Sequence, residues 1–350
     1  MPMTTWIPHR IMAATSPAAT KRCHVKTNYM DNQMKKQHYI FGPVPSRRLG
    51  RSLGIDLIPM KTCPYDCLYC QLGRTTNKTV LRKEWVPLEA VVAELQEKLV
   101  TKPDYITLGG SGEPTLYSRI GELIERIRSI TDIPVAVLTN GSLLWQKTVR
   151  EALMDANLVI PSLDAGDEAL FRIVNRPTTA IDFEHMLEGL IAFRQEYAGA
   201  YWLEILLLAG YSAIQSEVTK LAACVKKIKP DKVQLNTATR PPAEDYAVTV
   251  APNRLHELAA QFDPPAEVIA DYRGIQYVAE FCAGRENILQ LLQRRPCTAD
   301  DIGAGLGMHK NEVVKYLEEL VSGGRLEPYR IQGNVYYRPM AVPAQTAGIG

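Results

Sequence analysis

The chain has 350 residues, 46% of them hydrophobic and 22% charged, a globular balance with length for one large domain and a small one. A formal net charge of +2 is too small to hold a polyanion by bulk attraction, so nucleic acid is possible but not favoured. No apolar run approaches the roughly 20 residues needed to span a bilayer, and seven cysteines with one tight cluster do not make a disulfide framework, so no membrane partner and a reducing cytoplasm are expected.

Residues 1–38 are basic and lack apolar periodicity; they read as a disordered extension, as sequence upstream of a true start at Met34, or as a transit peptide. From Ser52 short apolar runs alternate with amphipathic stretches. The runs Leu53–Ile58, Tyr105–Leu108, Val135–Leu138, Leu158–Leu163, Leu203–Leu208 and Lys232–Leu235 predict strands. Leu88–Val100, Arg119–Ile130 and Glu217–Ile228 predict helices between them. About six strand–helix repeats imply an α/β fold with parallel strands and helical crossovers, either doubly wound or an open barrel. The rhythm breaks at Pro264–Pro265, and Ile275–Phe281 reads as a strand or linker, making 264–285 a linker. Residues 286–338 then predict three helices and a hairpin, the order of a winged helix: Glu286–Gln293, a segment capped by Thr298 and ending near Gly305, Asn311–Ser322, and strands Arg325–Ile331 and Val335–Arg338. Residues 339–350 read as a disordered tail.

The chemistry is concentrated in Lys61-Thr-Cys63-Pro-Tyr-Asp-Cys67-Leu-Tyr-Cys70-Gln. Three thiolates at this spacing can wrap one loop around a [4Fe–4S] cluster and leave one iron without a protein ligand. The amino and carboxylate groups of S-adenosylmethionine (SAM) can chelate that iron. A structural zinc site would want four ligands, and no fourth Cys or His lies close in sequence, although His38 or Cys282 could fold in.

The Cys-x3-Cys-x2-Cys run, with Tyr69 before its third cysteine and an apolar strand before its first, resembles the signature of the radical SAM superfamily. The segments Gly42–Gly54 and Gly109–Thr115 are similar to a little-characterised branch of Fe–S oxidoreductases, distantly similar to wybutosine-type tRNA-modifying enzymes. The resemblance covers roughly residues 40–263 and implies a partial (β/α)6 TIM-like barrel over 39–263. It also implies a cluster on Cys63, Cys67 and Cys70, SAM as second cofactor, and an external electron donor of flavodoxin or ferredoxin type. It further implies SAM contacts from Tyr69, Gly112, Glu113, Asn140, Ser162 and Asp164. All of these but Tyr69 have a plainer reading as an ordinary turn or helix cap.

Glu204, Asn236 and Arg240 are further candidates for the same cavity, and Arg47, Arg48 and Arg51 for an anionic group. Cys23, Cys224, Cys282 and Cys297 are scattered and predict no second cluster; Cys224 reads as a core residue of a helix. The leading expectation is an oxidoreductase-type radical enzyme forming a 5′-deoxyadenosyl radical that abstracts hydrogen from an RNA base, a peptide or a small metabolite. The alternative is a redox-sensing regulator that binds nucleic acid through the winged helix, against which the acids Glu312, Glu318 and Glu319 speak.

Overall fold

A computed structural model describes residues 38–46, 48–270, 285–294, 296–306, 308–331 and 333–340. The expected N-terminal extension up to residue 37, Cys23, Arg47, Ile275–Phe281, Cys282 and the tail from 341 lie outside the described residues.

In chain order the described elements begin with an antiparallel hairpin, β1 (Ile40–Ser46) and β2 (Gly50–Ile55), then the two-residue strands β3 (Thr62–Cys63) and β4 (Asn77–Lys78). There follow α1 (Leu88–Lys98), β5 (Tyr105–Leu108), α2 (Ile120–Ile130), β6 (Val135–Thr139), α3 (Lys147–Ala152) and β7 (Leu158–Pro161). After them come α4 (Glu168–Val174), α5 (Phe183–Glu196), β8 (Ala200–Leu207), α6 (Gln215–Ile228), β9 (Lys232–Thr237), α7 (Pro252–Ala259) and β10 (Glu267–Val268). Three helices, α8 (Arg285–Arg294), α9 (Ala299–Leu306) and α10 (Lys310–Ser322), and a second hairpin, β11 (Leu326–Ile331) and β12 (Asn334–Pro339), complete the order.

The main sheet runs β1-β2-β5-β6-β7-β8-β9-β10, parallel from β2 onward. Strands enter in sequence order with no reversal, which a doubly wound sheet would show at its switch point. The strands are apolar because both faces are covered: β7 is buried throughout and β5 in three of its four residues. The helices bury one stripe each. In α2 that stripe is Ile120, Leu123, Ile124 and Ile127, the spacing that brings side chains onto one helix face. Asp167 and Asp182 cap α4 and α5 by accepting the backbone N–H three residues on.

The sequence-based strand at Leu53–Ile58 is displaced: the strand ends at Ile55. Leu57 and Ile58 are buried from a loop, so their apolarity lengthened the run without lengthening the strand. Cys224 is buried in α6, as expected for a core position. In the C-terminal part Thr298 and Asp301 form a reciprocal capping pair at α9. A separate core of Ile288, Leu292, Ile302, Val313 and Leu317 includes buried Cys297. No helix among the described residues is long and apolar enough to cross a membrane.

Helix α5 lies close enough to the segment before α3 that a β-carbon on Gly189 would stand 2.2 Å from the Trp145 backbone nitrogen. Gly189→Ala gains about 1 kcal/mol of helix propensity but forces overpacking worth about 1–3 kcal/mol against backbone that cannot swing aside. A lower thermal midpoint than wild type by calorimetry is expected; an equal or higher one would show that α5 shifts without cost.

Candidate functional site

The loop after β2 carries the three clustered cysteines, and backbone hydrogen bonds hold it from two sides. On one side the Lys61 N–H donates to Ser111 O (2.7 Å) and the Glu113 N–H to Thr62 O (3.2 Å). On the other, the Asp66 N–H donates to Asn175 O (3.0 Å), Leu68 N–H to Val174 O (2.9 Å) and Thr178 N–H to Pro64 O (2.9 Å). The glycines after β5 permit the first contact. A β-carbon on Gly112 would meet Thr62 O at 2.0 Å, and Gly110 has φ +148° with the Asp56 carboxylate where its β-carbon would stand. Asp56 Oδ1 accepts the Ser111 N–H (3.0 Å), fixing the glycine loop to the end of β2.

Cys63, Cys67 and Cys70 all line one cavity of about 390 Å3, within the about 300–1,000 Å3 usual for ligand sites. Tyr69, Gly112, Glu113, Asn140, Ser162 and Asp164 line it too. Burial pushes the Cys63 thiol up, and the charges of Cys67, Glu113 and Cys70 add to it. Cys67 rises through burial, Asp164 and Cys70, and Cys70 through burial first. Gathering three thiolates here therefore calls for a positive centre among them. No three Cys, His, Asp or Glu side chains among the described residues converge tightly enough for a single metal ion. Tyr65, only 3% exposed, also lines the cavity, and its hydroxyl has no hydrogen-bond partner. A buried orphan hydroxyl costs about 1–3 kcal/mol until a ligand satisfies it.

Two buried carboxylates shape the walls. Glu113 Oε1 accepts Thr115 N–H (3.1 Å), Thr115 Oγ1 (2.6 Å) and Thr139 Oγ1 (2.6 Å), while Oε2 accepts the Asn140 N–H (2.7 Å). Burial raises the Glu113 carboxyl and these bonds oppose it. Asp164 Oδ1 accepts the Leu206 N–H (2.9 Å), and Oδ2 accepts the Tyr69 hydroxyl and Asn175 Nδ2 (2.9 Å). Burial pushes Asp164 up to about 6 against the same kind of bonds. Asn140 Nδ2 donates to Cys63 Sγ (3.3 Å) and Asn175 Nδ2 to Cys67 Sγ (3.5 Å).

Glu204 and Asn236 line the far wall, where Asn236 Nδ2 donates to Glu204 Oε1 (2.9 Å). Arg48 Nη1 pairs with Glu204 Oε2 at 2.6 Å, both side chains largely buried. Arg240 bonds to Gln71, which lines the cavity, whereas the Arg51 guanidinium donates to the Thr101 carbonyl and its backbone N–H to Asp104 Oδ2, so Arg51 does not line the cavity. Asn175 was missed by sequence reasoning. It follows the last residue of α4, where an asparagine reads as a helix end, and only its approach to the cysteine loop marks it. Phe41, Val44 and Leu291 supply apolar wall, the last from α8.

A family model described as the radical SAM superfamily matches residues 57–222. The chain is 34% identical over 306 residues to the UPF0026 protein of Methanocaldococcus jannaschii, covering 85% of this chain and 94% of that one. It is 39% identical over 307 residues to a protein of Brachyspira hyodysenteriae named GTPase Obg, covering 86% of this chain but only 45% of that longer protein. Among solved structures, a radical SAM methyltransferase from Sphaerobacter thermophilus aligns with TM-score 0.48 at 15% identity over 62% of this chain and 65% of that one.

Gly112→Ala pushes Thr62, and with it Cys63, off the glycine loop. After anaerobic reconstitution the variant is expected to retain about 10-fold less iron than wild type, the scale of a disturbed support to a metal ligand. Iron content equal to wild type would mean the loop contact does not position the cysteines.

Proposed function

Since this chain belongs to the radical SAM superfamily and is one of the UPF0026 proteins, we propose that it starts a radical reaction at the cavity lined by Cys63, Cys67 and Cys70. Its cofactors are a [4Fe–4S] cluster and SAM. The observation that carries the reading is the convergence of three thiols and an unpartnered buried phenol on one cavity. Cys63, Cys67 and Cys70 would hold the cluster, which when bound would supply the single electron needed for reductive cleavage of SAM and hydrogen abstraction from a substrate.

The protein's own groups bind, orient and shield. The three cysteines hold the cluster. The backbone of Gly110–Gly112 admits a ligand at close range, and Glu113 Oε2, which accepts one bond from Asn140, keeps room for the SAM ammonium. Ser162, Asn140 and the Tyr69–Asp164 pair offer polar groups to the rest of SAM. Leu138, Ile160 and Leu206 exclude water from the reacting end. The substrate then occupies the side bounded by Phe41, Val44, Glu204 and Asn236; an RNA base, a peptide and a small metabolite all remain open as its class.

Six consecutive strand–helix units from β2 to β9 within a sheet of seven parallel strands support a partial (β/α)6 barrel, and three helices with a hairpin support a winged helix over 286–338. The electron comes from an external flavodoxin- or ferredoxin-type donor. The regulator alternative loses ground on α10, whose exposed face carries Glu312, Glu318 and Glu319 against Lys310 and Lys315.

The deciding experiment is EPR on anaerobically reconstituted, dithionite-reduced protein with and without SAM, together with assay of 5′-deoxyadenosine. A [4Fe–4S]+ signal that shifts with SAM, nucleoside release, and loss of both in Cys67→Ala are expected. Zinc in place of iron, or a signal indifferent to SAM, would overturn the reading.

A further inference from the structure

The sulfur atoms of two of the three cysteines are each met by a side-chain amide from outside the cysteine motif. Asn140 follows β6 and Asn175 follows α4, so the two donors reach the loop from different elements. The orientation of each amide is dictated by its other contacts. Asn140 Oδ1 accepts the Ser142 N–H (2.9 Å), which leaves only its N–H side for Cys63 Sγ. Asn175 Nδ2 also faces the Asp164 carboxylate and the Tyr69 hydroxyl (3.3 Å), and a carboxylate as close as 2.9 Å accepts an N–H and repels a carbonyl.

Neither group is free to turn away. The Asn175 carbonyl accepts the Asp66 N–H, and the Val174 carbonyl accepts the Leu68 N–H, so the end of α4 is clamped to the chain on both sides of Cys67. The next residue, Arg176, has φ +46°, a conformation side chains rarely adopt, and its carbonyl also receives the Asp66 N–H. Asn175 is 3% exposed, so its bonds lie in a medium where water does not weaken them. The Asn140 backbone is fixed by Glu113 Oε2.

We propose that Asn140 and Asn175 are positioning residues that set the reduction potential of the cluster by donating N–H bonds to the Sγ atoms of Cys63 and Cys67. This rests on the proposed function, because it takes those thiolates as cluster ligands. Reduction adds one negative charge, spread over the cluster and its sulfurs. An N–H aimed at a ligating sulfur stabilises that added charge more than it stabilises the oxidised state, so each bond raises the potential. The pair brings a strongly reducing centre within reach of its electron donor, and Asn175 couples Cys67 to the Tyr69–Asp164 wall at the same time.

The test is a dithionite redox titration of the reconstituted wild type, Asn175→Leu, Asn140→Ser and the double variant, followed by EPR, with iron and sulfide assayed in each. Serine at 140 can still accept the Ser142 N–H but is too short to reach Cys63 Sγ. With cluster content equal to wild type, each single variant is expected to titrate at a more negative potential and the double variant at a lower one still. Unchanged or more positive potentials in both single variants, with clusters intact, overturn the inference while leaving the proposed function standing. If Asn175→Leu does not assemble a cluster, Asn140→Ser decides alone. Pulsed EPR of reduced wild type labelled with side-chain 15N asparagine is independent of any variant: coupling to amide nitrogen is expected, and its absence overturns the inference. A wild type with no [4Fe–4S]+ signal overturns the proposed function instead.

Discussion

The site depends first on a contact that only glycine allows, the seating of the Gly112 backbone against the Thr62 carbonyl. A β-carbon would occupy the space of that oxygen, so the loop after β5 and the loop after β2 close on each other at backbone distance. The bonds from Lys61 to Ser111 and from Glu113 to Thr62 then register them as a short parallel pairing. With the end of α4 bonded to Asp66 and Leu68, the cysteine loop is held at both flanks while its three thiols stay turned to the cavity. A long loop with no regular structure would otherwise lose its ordering entropy for little return. Here the returns come from backbone bonds, which leave the side chains free for chemistry.

The buried carboxylates act as knots between neighbouring strand ends. Glu113 joins the loop after β5 to the end of β6 through Thr139 and Asn140. Asp164 joins the loop after β7 to β8 through the Leu206 N–H, and reaches Tyr69 and Asn175 besides. A carboxylate in such a place is costly unless its lone pairs are filled, and filling them requires each donor to stand where it does. Burial and bonding pull their acidity in opposite directions, which is why Asp164 is held near 6 and not far above. The result is a polar rim at the C-terminal ends of parallel strands, the end where this architecture builds sites.

The parts of this arrangement that were legible in the sequence are those set by local spacing. Three cysteines at fixed separations, a glycine run after a strand and apolar runs of strand length each carry their meaning within about ten residues. Capping at Thr298 was readable for the same reason, since Asp301 completes it three residues away. What escaped were pairings across the chain. Asn175 looks like any helix end until the fold places it on Cys67, 108 residues distant. Arg48 was singled out as a binder of external anions, yet Glu204, 156 residues away, neutralises it. Leu57 and Ile58 misled because burial from a loop and burial in a strand demand the same residue types.

The β1–β2 hairpin shows why the segment from 40 to 54 belongs to the site although it carries no ligand. The far end of the Phe41 ring stands where a side chain on Gly54 would be, its atoms 2.0–2.5 Å from the missing β-carbon, and Phe41 also lines the cavity. In the turn, Leu49 packs in one cluster with Ala136 of β6 and with Leu158 and Ile160 of β7. Arg48 beside it extends to Glu204 and Gln234, tying the turn to β8 and β9. Between them Val44 touches both the cavity and the second core built by α8, α9 and α10. A hairpin that is wall and joint at once cannot change length without disturbing both, and two glycines of β2, Gly50 and Gly54, stand where Asp104 and Phe41 leave no room for a side chain. The C-terminal helices are therefore tied to the cavity through packing: Leu291 of α8 and Val44 of β1 both line it, and the shape of that side follows from how those two elements meet.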